Sequence, residues 1–223
     1  FFLSRPLRRQ ANRPRRLPQP CAAESGSIAK SLINNSVMKF GEAEVKIAAN
    51  SCTLPDMTEE HEPQVTPCAG HLEAIEQLFT RYGLILEPVR NSDRIPGSFW
   101  GDPEAGLIAQ KLYVREDTPL HSAFHEACHY ICMDRKRREV LHTNAGGSVE
   151  EENGVCYLQI LLADYLAGYD SAQMMRDMDT WGYSFRLGSS RSWFEEDADD
   201  ARKWLLEAGI ILENNTPSWK LNS

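Results

Sequence analysis

The chain has 223 residues, 42% of them hydrophobic and 25% charged, with a formal net charge of −8. That is enough for one domain with its own core plus extensions. The acidic balance argues against a general nucleic-acid or membrane-surface binder, and no apolar run has the length of a bilayer span or a secretory leader, so neither nucleic acid nor membrane is expected as a partner and the cytoplasm is the expected location.

Charge is unevenly spread. Residues 1–20 hold Arg5, Arg8, Arg9, Arg13, Arg15 and Arg16 with no acidic residue, and taking those six charges from the total leaves −14 on the rest. The same stretch carries Pro6, Pro14, Pro18 and Pro20 and almost no apolar periodicity, a composition that does not fold. An arginine-rich, acid-free start also matches an organellar transit peptide, the lesser reading, and Met38 is an alternative native start. Residues 21–68 remain poor in long apolar stretches, so 1–68 is expected to be a disordered arm and linker, 69–213 the domain, and 214–223 a flexible tail. Cys128, Cys132 and Cys156 lie in apolar helical contexts and are expected as buried free thiols.

From His71 the pattern changes. Leu72, Ile75, Leu78 and Phe79 fall at helical spacing, with Gly83 as the stop. Leu84 to Val89 reads as a short strand, and another lies within residues 107–116, members of a small three-stranded sheet. Asp117 or Thr118 can cap the next helix, with Pro119 in its first turn, where a missing N–H costs nothing. Arg135, Lys136, Arg137 and Arg138 follow as a solvated helix end or turn. After the loop LHTNAGGSV comes a strongly apolar helix beginning at Glu150, Glu151 and Glu152. Two shorter helices are expected near 171–179 and 193–208, the last opened by Ser192 with Glu195 three residues on.

Residues 125–129 read His125-Glu126-Ala127-Cys128-His129, inside the helix that follows Pro119. Positions four apart share a helix face, so both imidazoles can aim at one point with Glu126 beside it. Two histidines that bind zinc and a glutamate that serves as general base use this spacing. A catalytic zinc site takes a third protein ligand and keeps one position open. His121 is one turn too far along the same helix to converge with the pair and is expected beside the site or at the surface; His142 sits in a loop. The acidic triplet is the better source. Glu151 shares a face with Val155, Leu158 and Leu162 and so points inward with the core, whereas Glu152 shares its face with the more polar Cys156, Gln159 and Ala163. Glu151 is therefore favoured, with Glu152 as the alternative and Glu150 still open.

HEACHYICM followed by EEENGVCYLQILL resembles the ImmA/IrrE group, the minimal zinc metallopeptidases also called IrrE N-terminal-like, over about residues 70–170. That group carries HExxH on one helix and Glu-x-x-Ala-Asn-x-Phe-Ala-x-x-Leu-Leu on the next. The likeness puts Glu151 at the ligand, Gly154 at the first alanine, Tyr157 at the phenylalanine and Leu158 at the second alanine. Leu161 and Leu162 stand at the paired leucines, while Val155 replaces the asparagine.

The resemblance implies an α+β, mainly helical, minimal zincin-like domain with one zinc ion per chain and a protein or peptide substrate. Peptide hydrolysis would use zinc held by His125, His129 and Glu151, with Glu126 as proton acceptor. An oxyanion donor is also needed; by residue type Tyr183, His142 and Arg186 qualify. The strand KLYVRE, taken as a sheet edge, could align an extended peptide by backbone hydrogen bonds. The competing expectation is a non-catalytic metal-binding or protein-interaction domain of the same fold, which would need the ligands but not the adjacent base.

Overall fold

A computed structural model describes residues 64–223. The basic arm and most of the linker, at 1–63, lie outside the described residues. Among the described residues the order is α1 (Leu72–Thr80), β1 (Ile85–Pro88), β2 (Gly106–Ile108), β3 (Lys111–Val114) and α2 (Leu120–Cys132), then α3 (Arg135–Glu139), α4 (Val149–Ala163), α5 (Ser171–Trp181), α6 (Ser190–Glu196) and α7 (Asp199–Glu207). This is an α+β arrangement dominated by helices, and no described helix is long and apolar enough to cross a membrane.

The sheet has three strands in the order β1-β3-β2, with β1 parallel and β2 antiparallel to β3. The run LIAQKLYV, read from sequence as one strand, is a hairpin. Ile108 faces Lys111 across a two-residue turn in which Ala109 takes φ +50°. Ala-Gln lacks the Gly or Asn that usually marks such a turn, so the sequence hid it.

KLYVRE is therefore the central strand and cannot receive a peptide along an edge. The outer side of β2 is covered too: Leu107 donates to the Gly97 carbonyl at 3.2 Å, Ala109 to Leu141 at 2.9 Å, and the Leu107 carbonyl accepts from Thr143 at 3.0 Å. Gly106 permits the first of these approaches, because a Cβ there would collide with the backbone of Pro96 to Ser98.

α2 packs against α4, β2 and β3, with Leu120, Ala123, Phe124, Ala127, Cys128 and Ile131 fully buried. Its start is sealed by backbone rather than by a side-chain cap. Pro119 is the N-cap, Leu120 donates to the Thr66 carbonyl at 2.8 Å, and Thr118 turns its hydroxyl to the Arg115 N–H at 2.9 Å. Residues 66–68 thus belong to the domain, two or three residues ahead of the boundary expected from composition.

The other end of α2 is sealed by the C-terminal segment. The Asn222 N–H and side-chain amide donate to the carbonyls of Ile131 and Cys132 at 3.0 and 2.7 Å, groups that have no partner within a helix. Trp219 sits between Tyr82 and Tyr165, at 5.5 and 5.1 Å between centroids, so residues 214–223 are tied to the domain rather than hanging free.

α4 is buried on several faces, packing on α2, α5 and α7. Gly154 marks its approach to α7, since a Cβ there would lie 2.7 Å from Cε3 of Trp204. The expected helix at 193–208 is two helices, α6 and α7, broken at Asp197 and Ala198. The cap of α6 is Ser189, accepting from the Ser192 N–H at 3.1 Å, so Ser192 lies within the first turn instead of preceding it.

Candidate metal centre

His125 and His129 project from one face of α2 with their Nε2 atoms 3.1 Å apart. Oε2 of Glu152, from the first turn of α4, lies 3.6 Å from Nε2 of His129 and 4.0 Å from that of His125. Among the described residues these three form the one group of His, Cys, Asp or Glu side chains whose ligand atoms all lie within 4.8 Å of one another. A tetrahedral zinc with bonds of roughly 2.0–2.1 Å separates its ligands by about 3.3 Å, within the range seen here.

Each member is prepared for a cation. Burial lowers the pKa of both histidines, His129 the further because His125 and Arg137 add positive charge beside it, so both rings are neutral with lone pairs to offer. The His125 Nδ1 lies 2.9 Å from Oε1 of the fully buried Gln159. An amide oxygen accepts, so Nδ1 carries the proton and Nε2 is left free, the usual way a second residue sets the tautomer of a metal-binding histidine. Oε2 of Glu152 is buried with no hydrogen-bond partner, as is Nδ1 of His129. Buried acceptors left unpaired are costly, and a divalent cation would satisfy the Glu152 oxygen.

Glu151, the ligand favoured from sequence, points elsewhere. Its two oxygens accept from Nη1 of Arg137 at 2.8 and 2.6 Å, and Arg137 also donates to the carbonyls of Ala145 and Gly146 at 2.8 and 2.9 Å. Gly147 gives the carboxylate room, since a Cβ there would overlap it. The reasoning from the apolar stripe failed because α4 is buried nearly all round. Its polar stripe, Glu152, Cys156 and Gln159, is the one turned to the histidines, with Cys156 and Gln159 at 0% exposure. Two of the four basic residues after α2 are tied to the domain while partly exposed: Arg137 to Glu151, and Arg138 by donating to the carbonyls of Met133 and Asn222.

Glu126 is 9% exposed and its Oε2 has no hydrogen-bond partner. Burial first, then the negative charges of Glu104 and Glu152, raise its pKa to about 8. Tyr183 lies against the group, its ring 6.0 Å from that of His125, and it shares a hydrogen bond with Gln159. Burial holds the phenol well above its ordinary pKa, so it remains a neutral hydroxyl. His121 is buried, 1% exposed, between Trp181 and Tyr183 at 5.0 and 5.6 Å, and neither ring nitrogen has a partner.

His142 and Arg186 are not brought into the group. The exposed His142 ring meets Thr143 Oγ1 at 2.9 Å, and Arg186 is paired with Asp197. Gln159, Arg137 and Glu104 are site neighbours to which sequence reasoning gave no role. Only Gln159 left a signal, as a polar residue on the Glu152 stripe of an otherwise apolar helix.

Comparisons of the chain with protein-family models, with curated proteins and with solved structures give no match. The site's own geometry is therefore the ground for a functional reading.

Proposed function

We propose that this chain is a zinc-dependent hydrolase of peptide bonds, in keeping with its resemblance to the ImmA/IrrE group, with the metal held by His125, His129 and Glu152. The supporting observation is the convergence of two neutral Nε2 atoms and one orphaned carboxylate oxygen within 4.0 Å, beside a second buried carboxylate that is not part of the set. A site that merely held two helices together would gain nothing from Glu126, and burying its Oε2 without a partner is destabilising.

Zinc bound there would supply a Lewis acid and draw the pKa of water towards neutrality. The chain's residues supply the rest. Gln159 fixes His125 in the tautomer that offers Nε2. Glu126 takes a proton from the attacking water through its free Oε2 and passes it to the leaving amine. Positive charge at the ligand set favours the ionised, accepting form of Glu126. Tyr183, kept neutral and with its ring 6.0 Å from that of His125, would be the donor to the oxygen on which charge develops.

The test is peptide hydrolysis by the purified full chain against Glu126→Gln. We expect Glu126→Gln to retain one zinc per chain and to lose turnover by roughly 10²–10⁴-fold. Undiminished hydrolysis by Glu126→Gln would refute the proposed role of the base.

A further inference from the structure

Arg137 belongs to α3, whose cap, Asp134, accepts from the Arg137 N–H at 3.0 Å. Its guanidinium grips in two directions. Nη1 donates to both oxygens of Glu151 at 2.8 and 2.6 Å, and Nη2 donates to the carbonyls of Ala145 and Gly146 at 2.8 and 2.9 Å. One side therefore holds the opening turn of α4 and the other holds the loop that leads into it. At the end of that loop the Gly147 N–H donates to Oε1 of Glu152 at 3.1 Å.

The two oxygens of Glu152 are made unlike by this arrangement. Oε1 has a donor from the main chain, whereas Oε2 is buried with no partner and lies 3.6 Å from Nε2 of His129. A carboxylate free on both sides can close on a metal with both oxygens, and that would fill the position a catalytic zinc keeps open for water. One engaged on one side offers a single oxygen. Hydrogen bonds of this kind commonly orient metal-binding carboxylates.

We infer that Arg137 is a positioning residue: by clamping the main chain of 145–147 to Glu151, it aims the Gly147 N–H at Oε1 of Glu152, so that Glu152 takes the metal through Oε2 alone. This rests on His125, His129 and Glu152 being the metal set. A role through charge alone has the opposite sign. A cation near a bound cation repels it, so removing Arg137 would then tighten zinc binding, whereas loss of aim weakens it.

The experiment measures zinc affinity by chelator competition on the full chain, unaltered and carrying Arg137→Met, Arg137→Lys, or Arg137→Met together with Glu151→Gln. The last pair removes one charge of each sign and leaves no buried carboxylate without its partner, so it decides even if Arg137→Met fails to fold. Affinity should fall by about 10–100-fold in Arg137→Met and in the double variant. Lys has one ammonium in place of a planar fork and should recover little of the loss. Infrared difference spectra, zinc-loaded minus metal-free, read how the carboxylate binds, because its two stretches lie far apart for one-oxygen binding and close together for two-oxygen binding. The unaltered chain should show the wide separation and the Met variants the narrow one. Affinity that is unchanged or raised in the Met variants, or restored by Lys, overturns the inference. So does a narrow separation in the unaltered chain, which needs no variant, or lost affinity with the separation unchanged, which would make Arg137 merely structural. Failure of the unaltered chain to bind zinc, or undiminished binding by Glu152→Gln, would instead sink the metal set itself.

Discussion

Among the buried carboxylates of the described residues, Asp177 and Glu126 have opposite surroundings. Asp177, on α5, is 1% exposed and accepts from the Tyr169 hydroxyl at 2.8 Å, Nε2 of Gln173 at 2.7 Å and the Thr66 N–H at 3.1 Å. Glu126, on α2, is 9% exposed with one oxygen that nothing meets, and nearby lie Oε2 of Glu152, Nδ1 of His129 and both ring nitrogens of His121, all without partners. Buried polar groups are ordinarily satisfied. The Asp177 cluster obeys that rule and stitches the segment before α1 to α5. The α2–α4 corner breaks it repeatedly within one place, as expected where unmet groups await a ligand rather than the rest of the fold.

That contrast can be broken at either end. The largest expected effect on folding is at the satisfied carboxylate. Asp177→Ala leaves a buried hydroxyl, an amide and a backbone N–H without their acceptor, and should cost about 3 kcal/mol in denaturant unfolding while leaving zinc stoichiometry unchanged in the folded fraction. An effect below about 0.5 kcal/mol would mean the cluster is not the structural tie described.

On the other side, Gln159→Leu removes the oxygen that fixes the His125 tautomer without opening a large hole. Zinc affinity, measured by chelator competition, should fall by about 10–100-fold with little loss of stability. Unchanged affinity would separate Gln159 from the metal.

The smallest expected effect concerns His121, whose pKa is lowered from 6.5 to about 3 by burial, with His125 adding to the shift. The unfolded chain takes up a proton near 6.5 that the folded one refuses until about 3. Stability therefore falls as pH drops through that window, by about 1.4 kcal/mol per unit from this group, and the loss is complete below it. His121→Phe, a ring between Trp181 and Tyr183, should remove that share of the slope in the metal-free protein between pH 6 and 4. Equal slopes in the two proteins would show that the folded state accommodates the charged imidazole.

What was legible in the sequence follows the same division. Local rules are written locally: the four-residue spacing of His125 and His129, the stripe of α1 and the apolar length of α4 all appear where expected. Tertiary choices are not. Glu151 and Glu152 are adjacent, and only the placement of Arg137, delivered by α3 and the loop to Gly147, decides which of them turns away. The hairpin at Ala109 hid because its turn uses an unusual residue, and the edge expected of KLYVRE was lost because β2 folded back beside it. The C-terminal segment looked free because two helix carbonyls waiting for Asn222 leave no mark on the sequence around it.

The central claim is that the metal is held by His125, His129 and Glu152. Zinc titration of Glu152→Gln beside Glu151→Gln, with folding checked by circular dichroism, tests it most directly. Glu152→Gln should fail to hold one equivalent while Glu151→Gln retains it, and the reverse pattern, or full zinc occupancy in both, would contradict the assignment.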